Sequence, residues 1–200
     1  DSDDYLNDDA VEIILQQWEE QHGAIGLLNN RITNTGESIT RIDKGVVYTT
    51  LDGAYRKYHM IGDTMLVYDT AVIRQHRFPV FENEKFIPEN YLYDQLDQCG
   101  ELYVGNRNLY VCEYREDGYT ASIHRLNANN PRGYEAYMLQ RLRFDRSIRE
   151  KLSDTIRYIS IKKVIAEGRI LKDSIYPVLT IACFVPGIIR YNMLYRQYVK

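Results

Sequence analysis

The N-terminal segment constrains the fold most, because it sets a dense acidic run directly before a helical pattern and then a strand. Residues 1–6 are Asp-Ser-Asp-Asp-Tyr-Leu. Apolar residues then recur at the i, i+3, i+4, i+7 spacing of a helix, which predicts a helix over residues 8–21. These residues are Val11, Ile14, Leu15 and Trp18. Gly23 ends the pattern, and residues 24–28 predict a short buried strand.

The acidic run itself indicates a metal or a helix cap. Carboxylates packed this closely repel one another unless a cation lies between them. Hard oxygen ligands suit Mg²⁺ or Mn²⁺, so one interpretation is a divalent metal that carries a phosphorylated ligand. The other is a solvated cap, with Asn7 as N-cap and two carboxylates in the first turn. An EF-hand calcium loop is excluded, because Tyr5 and Leu6 stand where it needs an oxygen ligand and a glycine.

Composition favours a globular chain with reduced thiols. Of 200 residues, 44% are hydrophobic and 26% are charged, which is not the composition of a disordered chain. The three cysteines are far apart, at Cys99, Cys112 and Cys183, and the histidines are also scattered, so neither set has metal-site spacing. We therefore predict a cytoplasmic protein.

Charge is polarised along the chain. Residues 151–200 carry nine Lys and Arg against three Asp and Glu, whereas residues 1–150 carry sixteen against twenty-five. A last helix is predicted from Pro186 to Val199, with Ile188, Tyr191, Tyr195 and Tyr198 on one side. A basic helix with aromatic residues predicts peripheral contact with the inner face of the cell membrane through residues 186–200. Ordinary packing of this side is the alternative. We predict no nucleic-acid partner, since the body is acidic and carries no such motif.

Helical and strand patterns alternate through the rest of the chain, which predicts an α/β fold. Residues 29–44 predict polar turns, residues 62–68 a strand, and residues 78–88 a loop. Residues 102–104 and 109–114 predict two strands paired across a turn at residues 105–108. The remaining predicted helices cover residues 89–99, 131–146, 148–167 and 173–184. We place a domain boundary between residues 146 and 147, so that residues 1–146 form the main domain and 147–200 a helical extension.

Three segments together resemble the family 2 glycosyltransferases with the GT-A fold, particularly the bacterial surface-polysaccharide enzymes. Residues 1–6 resemble the DxD motif of that family. Residues 78–89, FPVFENEKFIPE, resemble its "FP…EKF.PE" stretch. Residues 113–120, EYREDGYT, followed by NPRGY at 130–134, resemble a strand end and a helix start of the same enzymes. The resemblance covers nearly the whole chain.

The resemblance implies the fold and the reaction. It implies a Rossmann-like mixed sheet with flanking helices, and it implies that a nucleotide-binding half precedes the DxD segment and is absent from this sequence. The activity implied is inverting sugar transfer from a nucleoside-diphosphate donor, such as a UDP-sugar, to a glycan or polyprenyl-linked acceptor. The cofactor implied is Mn²⁺ or Mg²⁺.

The resemblance also implies the site residues. Asp3 is the predicted metal ligand, and Asp1 contacts the donor ribose or the metal. Asp4 orients the loop. Glu89 is the predicted general base with Glu84 as alternative, because Asn90 stands where many relatives have an aspartate. Weaker candidates are His124 for the metal, Lys85 and Arg115 for phosphate, Asp117 and Gly118 for the acceptor mouth, and Tyr91 and Tyr93 for the sugar.

A second hypothesis keeps the fold without the activity. The missing half and Asn90 also suit a truncated, catalytically inactive glycosyltransferase-like domain that acts in binding or interaction. Both hypotheses are carried forward.

Overall fold

The computed structural model describes residues 4–112, 122–165 and 169–199. These residues form a mixed α/β fold, as predicted. The strands are β1 (Tyr5–Leu6), β2 (Gly26–Ile32), β3 (Tyr48–Thr49), β4 (Thr64–Tyr68) and β5 (Leu102–Val111). The helices are α1 (Ala10–Glu20), α2 (Leu51–Arg56), α3 (Thr70–Ile73), α4 (Asn90–Leu96), α5 (Ile123–Asn129), α6 (Pro131–Arg143), α7 (Ile148–Ile165), α8 (Pro177–Ala182) and α9 (Phe184–Leu194), followed by a 3₁₀ turn (Arg196–Tyr198).

Two compact units divide the chain. The first, which we call the sheet unit, comprises Asp1–Arg77 and Leu92–Glu116; the second, the helical unit, comprises Phe78–Tyr91 and Asp117–Lys200. This division differs from the predicted boundary at residue 146, because α6 and α7 lie on either side of that boundary and pack against each other.

The sheet is mixed, with β5 at its centre. Its order is β1-β5-β2-β4, and β3 also pairs with β5. The β2–β5 pair is parallel, whereas β1 and β3 run antiparallel to β5 and β4 runs antiparallel to β2. The two faces of β4 belong to different clusters, since Met65 packs with Leu109 and Leu66 packs with Leu28. Both faces of the sheet are therefore covered by apolar side chains.

The predicted hairpin at residues 102–114 is wrong. β5 is one continuous strand through Gly105–Asn108, and the sequence GNRN forms an irregularity in it instead of a reversal. Asn106 has a positive φ of 51°, and the register with β2 shifts at this point. A β-bulge accommodates such a residue without ending the strand. Residues 29–32, predicted as part of a polar turn region, extend β2 beside it.

The buried side of α1 is shifted by one residue from the predicted one. Ala10 and Gln17 are buried, and Ile13 and Ile14 pack against the core, while Val11 and Leu15 are exposed. A polar side chain at position 17 concealed this face from the sequence pattern.

The helical unit has its core between α6, α7 and α9. Its buried residues include Met138, Tyr158, Ile159 and Tyr195. A Cβ atom at Gly187 would lie 2.5 Å from Cγ2 of Ile159, so glycine there lets α9 approach α7 closely.

The two C-terminal helices differ from their predicted bounds and orientation. α8 begins only at Pro177, and α9 already begins at Phe184, with Pro186 in its first turn where proline is tolerated. The predicted membrane-facing side of the last helix is wrong: Tyr195 is 0% exposed, and Ile188 and Tyr191 pack against the core.

Candidate functional site

One candidate region, in the sheet unit, is the acidic N-terminal segment. Asp1 and Asp3, the predicted donor and metal ligands, lie outside the described residues, and so do Arg115, Asp117 and Gly118. Asp4 is described, and its Oδ2 accepts a hydrogen bond of 2.7 Å from the Tyr110 hydroxyl. The register places Leu6 opposite Tyr110, so Tyr5 and Leu6, which follow Asp4, pair with β5 at this tyrosine and its neighbour. Asp4 is thus tied to the central strand.

An arginine lies beside this contact. The guanidinium carbon of Arg31 lies 4.6 Å from the centroid of the Tyr110 ring, and the two residues are register partners on β2 and β5. Burial, followed by the hydrogen bond to Asp4, raises the pKa of Tyr110 to about 12. The tyrosine therefore stays protonated and continues to donate to the carboxylate at neutral pH.

Tyr110 and Arg31 were missed by sequence reasoning. The sequence did predict a strand at 109–114, but it paired that strand with residues 102–104 instead of with β2. Without the parallel β2–β5 register, nothing in the sequence joins two residues 79 positions apart. Correct strand pairing was the signal needed.

A separate candidate region lies in the helical unit, where the FPVFENEKFIPE loop meets the start of α6. Glu84 Oε1 accepts the Arg132 N–H and its Oε2 accepts the Gly133 N–H, each at 2.8 Å. These are among the first N–H groups of α6, which have no partner within the helix. A carboxylate at a helix N-terminus is also favoured by the helix dipole. Glu84 therefore caps α6 with both of its oxygens.

Asn130, the residue before α6, accepts hydrogen bonds from the loop that contains Glu84. Its Oδ1 accepts the backbone N–H groups of Lys85 and Phe86, at 2.7 and 3.1 Å. A Cβ atom at Gly133 would lie 2.7 Å from the Phe86 carbonyl oxygen, so the loop and the helix are in close contact. The EKF and NPRGY motifs thus hold each other through four hydrogen bonds and a glycine that leaves room for the backbone.

Glu89 is in a different environment from Glu84. It is exposed, immediately before the first residue of α4, and Pro88 accepts the Tyr91 N–H at 2.8 Å in the turn that leads into that helix. Both carboxylates flank the fixed loop, but only Glu84 is engaged at both oxygens by backbone donors. Both oxygens of Glu84 are occupied by backbone donors, whereas the exposed Glu89 carboxylate can be reached from solvent. This geometry favours Glu89 over Glu84 as a base.

The same loop encloses a pocket of about 320 Å³. Three aromatic rings, those of Phe78, Phe81 and Phe86, contribute to its lining, and Glu84 and Lys85 are also at its wall. Aromatic faces with a few polar groups at the edge are typical of sites for ligands with a partly apolar surface.

The weaker candidates have structural neighbours. His124 lies edge-on to Tyr195, and burial, followed by the charge of Arg190, lowers its pKa. Tyr91 packs against the core of the helical unit and also contacts the exposed ring of Phe78, and Tyr93 stacks on Tyr68.

Within residues 4–112, 122–165 and 169–199, no three His, Cys, Asp or Glu side chains group as metal ligands. His124 therefore has no described cluster to join.

Comparisons with known proteins return no similar one: no family model, curated protein or solved structure matches this chain. Among the helices that the structure describes, none combines the length and apolar character that crossing a bilayer needs.

Proposed function

We propose that this chain is the acceptor-side part of an inverting glycosyltransferase. The donor is a nucleoside-diphosphate sugar, such as a UDP-sugar, and the acceptor is a hydroxyl of a glycan or of a polyprenyl-linked saccharide. The proposal starts from the resemblance of three segments to family 2 glycosyltransferases of the GT-A type. The mixed sheet with flanking helices agrees with that resemblance at the level of fold class.

The observation that carries the proposal is the interlock of two of these segments. EKF at 84–86 and NPRG at 130–133 were chosen from the sequence alone, 44 or more residues apart, yet four hydrogen bonds join them. Two of the segments that carry the resemblance therefore form one local structure. The interlock fixes the loop that leads to Glu89, and fixed elements suit catalytic groups because small displacements reduce rates strongly.

Glu89 would act as the general base. The acceptor hydroxyl oxygen bonds to the anomeric carbon, the bond from that carbon to the diphosphate oxygen breaks, and the hydroxyl proton passes to the Glu89 carboxylate. An exposed carboxylate before a helix can be reached by an acceptor from solvent, whereas Glu84 is engaged by Arg132 and Gly133. A positioned base of this kind contributes about 10²–10⁴-fold to the rate.

The acidic segment would hold the divalent cation. Its three aspartates offer carboxylate donors, which suit Mn²⁺ or Mg²⁺ better than softer metals. Asp3 and Asp1 would be the ligands, and Asp4 would position the segment, since Tyr110 already occupies its Oδ2. When bound, such a cation stabilises the negative charge that develops on the departing diphosphate.

Binding of UDP in the presence and absence of Mn²⁺, measured by calorimetry on the full-length protein, tests the proposal. Wild type is expected to bind UDP only with Mn²⁺, and Asp3→Ala is expected to lose that binding. Asp8→Ala removes an equal charge from an exposed position five residues further on and is expected to bind as wild type. No Mn²⁺-dependent binding in wild type would reject the UDP-sugar proposal and favour the inactive binding domain.

A further inference from the structure

An exposed apolar stripe runs along α8 and α9. Its members recur at intervals of three or four residues, which places them on one side of the two consecutive helices. They are Val178, Ile181, Val185, Ile189 and Met193, and they are between 53% and 82% exposed. We call this set the C-terminal stripe.

The C-terminal stripe lies on the side of α8 and α9 opposite to the side that packs against the core of the helical unit. Thr180, Cys183 and Tyr195 of the same segment are 0 to 3% exposed, and Gly187 sits against Ile159. Because this close approach leaves no room for a side chain at position 187, α9 cannot roll to bury the stripe without losing the contact with α7. The apolar side chains of the stripe therefore stay at the surface. Contiguous exposed apolar surface of this kind marks an interaction site.

The charges around the stripe have one sign. From Ser174 to Lys200 the sequence contains two arginines and a lysine but no aspartate or glutamate. The preceding acid, Asp173, is paired with Lys162 at 2.9 Å. Arg196, near the end of this segment, is exposed. The partner of this side should thus combine an apolar layer with negative charge.

Two titratable groups, His124 packed against Tyr195 and Cys183 within the segment itself, do not change this sign. Burial, followed by the charge of Arg190, lowers the pKa of His124, which packs against Tyr195. Burial likewise raises the pKa of Cys183, so both groups are held in their neutral forms near neutral pH.

We infer that the C-terminal stripe docks in the surface layer of an anionic phospholipid bilayer, with α8 and α9 lying in the membrane plane. A bilayer of this kind supplies both the apolar layer and the negative charge in one surface. Helices that lie in the interface are amphipathic and carry basic residues beside their apolar side. The inference does not depend on the proposed glycosyl transfer, and it uses the side of α9 opposite to the one that the sequence suggested.

Flotation with lipid vesicles tests this inference, using the full-length protein. Wild-type protein is expected to float with vesicles that contain 30 mol% phosphatidylglycerol. With vesicles of pure phosphatidylcholine, it is expected to remain unbound in the bottom fraction. Val185→Ser/Ile189→Ser removes apolar contacts at exposed positions and is expected to weaken vesicle binding by at least about tenfold. Arg196→Glu is expected to weaken it severalfold, because the attraction to anionic lipid is electrostatic.

Leu15→Ser is the matched control, because Leu15 is equally exposed but lies on α1 of the sheet unit. It is expected to bind vesicles as wild type. Equal flotation of wild type and Val185→Ser/Ile189→Ser would overturn the inference, and so would a wild type that does not float. Sedimentation on the same samples identifies the competing occupant: a dimer of wild type that dissociates in Val185→Ser/Ile189→Ser would show that a second copy covers the stripe. Circular dichroism of each variant confirms that it is folded.

Discussion

The sheet unit and the helical unit bury polar groups of different kinds. At the centre of the sheet unit, Gln17 and Asn29 exchange two amide hydrogen bonds, of 2.8 and 3.2 Å. In the helical unit, Arg141 pairs with Asp154 at 2.9 Å, and the two side chains are 6% and 2% exposed. Neutral amides need only hydrogen-bond partners, whereas buried charges need partners of opposite sign.

The difference follows from what each unit has to join. In the sheet unit, the Asn29 amide oxygen also accepts the Arg107 N–H at 3.1 Å, so it satisfies the backbone where β5 is irregular. In the helical unit, the ion pairs link α7 to α6 and to the segment before α8. Each unit thus places its buried polar groups where regular hydrogen bonding ends or where helices must be held together.

The largest expected effect is in the helical unit, from Asp154→Ala. This change leaves the Arg141 guanidinium buried without its carboxylate, and we expect the free energy of unfolding to fall by about 3–5 kcal/mol. Urea unfolding measures it. Arg157→Met is the control, since Arg157 is 40% exposed and contacts Asp154 only at 3.7 Å; we expect it to cost less than about 1 kcal/mol. Equal losses for the two variants would contradict the assignment of the Arg141–Asp154 pair.

Asn29→Ala tests the sheet unit and is expected to cost about 1–3 kcal/mol, because the Gln17 amide and the Arg107 N–H lose their partner. The Cys112 thiol is buried in this unit, so its rate of labelling in a Cys99→Ser background reports local opening. The rate is expected to rise in Asn29→Ala. Gln16→Ala, which changes an exposed amide next to Gln17, is expected to leave the rate unchanged.

Glu84→Gln should have a smaller effect, about 1 kcal/mol. Glutamine keeps one acceptor oxygen for α6 but loses the charge and the second acceptor. Unfolding followed by labelling of the buried Cys183 measures the loss in the helical unit. Glu82→Gln, an exposed acid two residues away in the same loop, is expected to match wild type. A Glu84→Gln variant as stable as wild type would contradict the capping contact.

The smallest expected effect is on the pH dependence of stability, and it comes from Lys162 in the helical unit. Burial alone would lower the pKa of Lys162, but hydrogen bonds to Glu135 and Asp173 raise it above its ordinary value of 10.5. A raised lysine pKa stabilises the fold fully below pH 10.5, and this contribution is lost as the pH rises through the raised value.

Asp173, which pairs with Lys162, affects stability at acid pH. The hydrogen bond from Lys162 lowers the pKa of Asp173 below 3.8, so its contribution is present above that pH and is lost as the pH falls through the lowered value. Unfolding of Lys162→Met measured across pH should show a flatter profile than wild type at both ends. An unchanged profile would mean that these pairs do not contribute.

Several elements could be predicted from the sequence because their signals are local. The helix from Ala10 to Glu20, the strand Thr64–Tyr68 and the loop before α4 follow from apolar spacing, glycine and proline. These predictions are confirmed, with bounds that differ by a few residues.

Elements that depend on distant partners could not be predicted. GNRN at 105–108 has the composition of a turn, but the Asn29 and Asn30 side chains bond to Asn106, Arg107 and Asn108 and support a continuous strand. Gln17 is polar yet buried because its side-chain amide exchanges hydrogen bonds with that of Asn29. The packed side of α9 depends on Ile159, which lies on another helix.

The candidate site divides in the same way. The motif residues Glu84 and Glu89 could be named from the sequence, but their different environments could not, because the start of α6 lies more than 40 residues away. Tyr110 and Arg31 depend on the β2–β5 register and were missed. Asp1 and Asp3 remain predictions, outside the described residues.

The most direct test of the central claim compares Glu89→Gln with Glu84→Gln in a transfer assay. Full-length protein is incubated with Mn²⁺, a UDP-sugar and a polyprenyl-linked acceptor at a temperature well below unfolding, and release of UDP is measured. We predict that Glu89→Gln lowers the transfer rate by about 10²–10⁴-fold without loss of stability, whereas Glu84→Gln loses stability but keeps most of the rate. Transfer at the wild-type rate by Glu89→Gln would contradict the account.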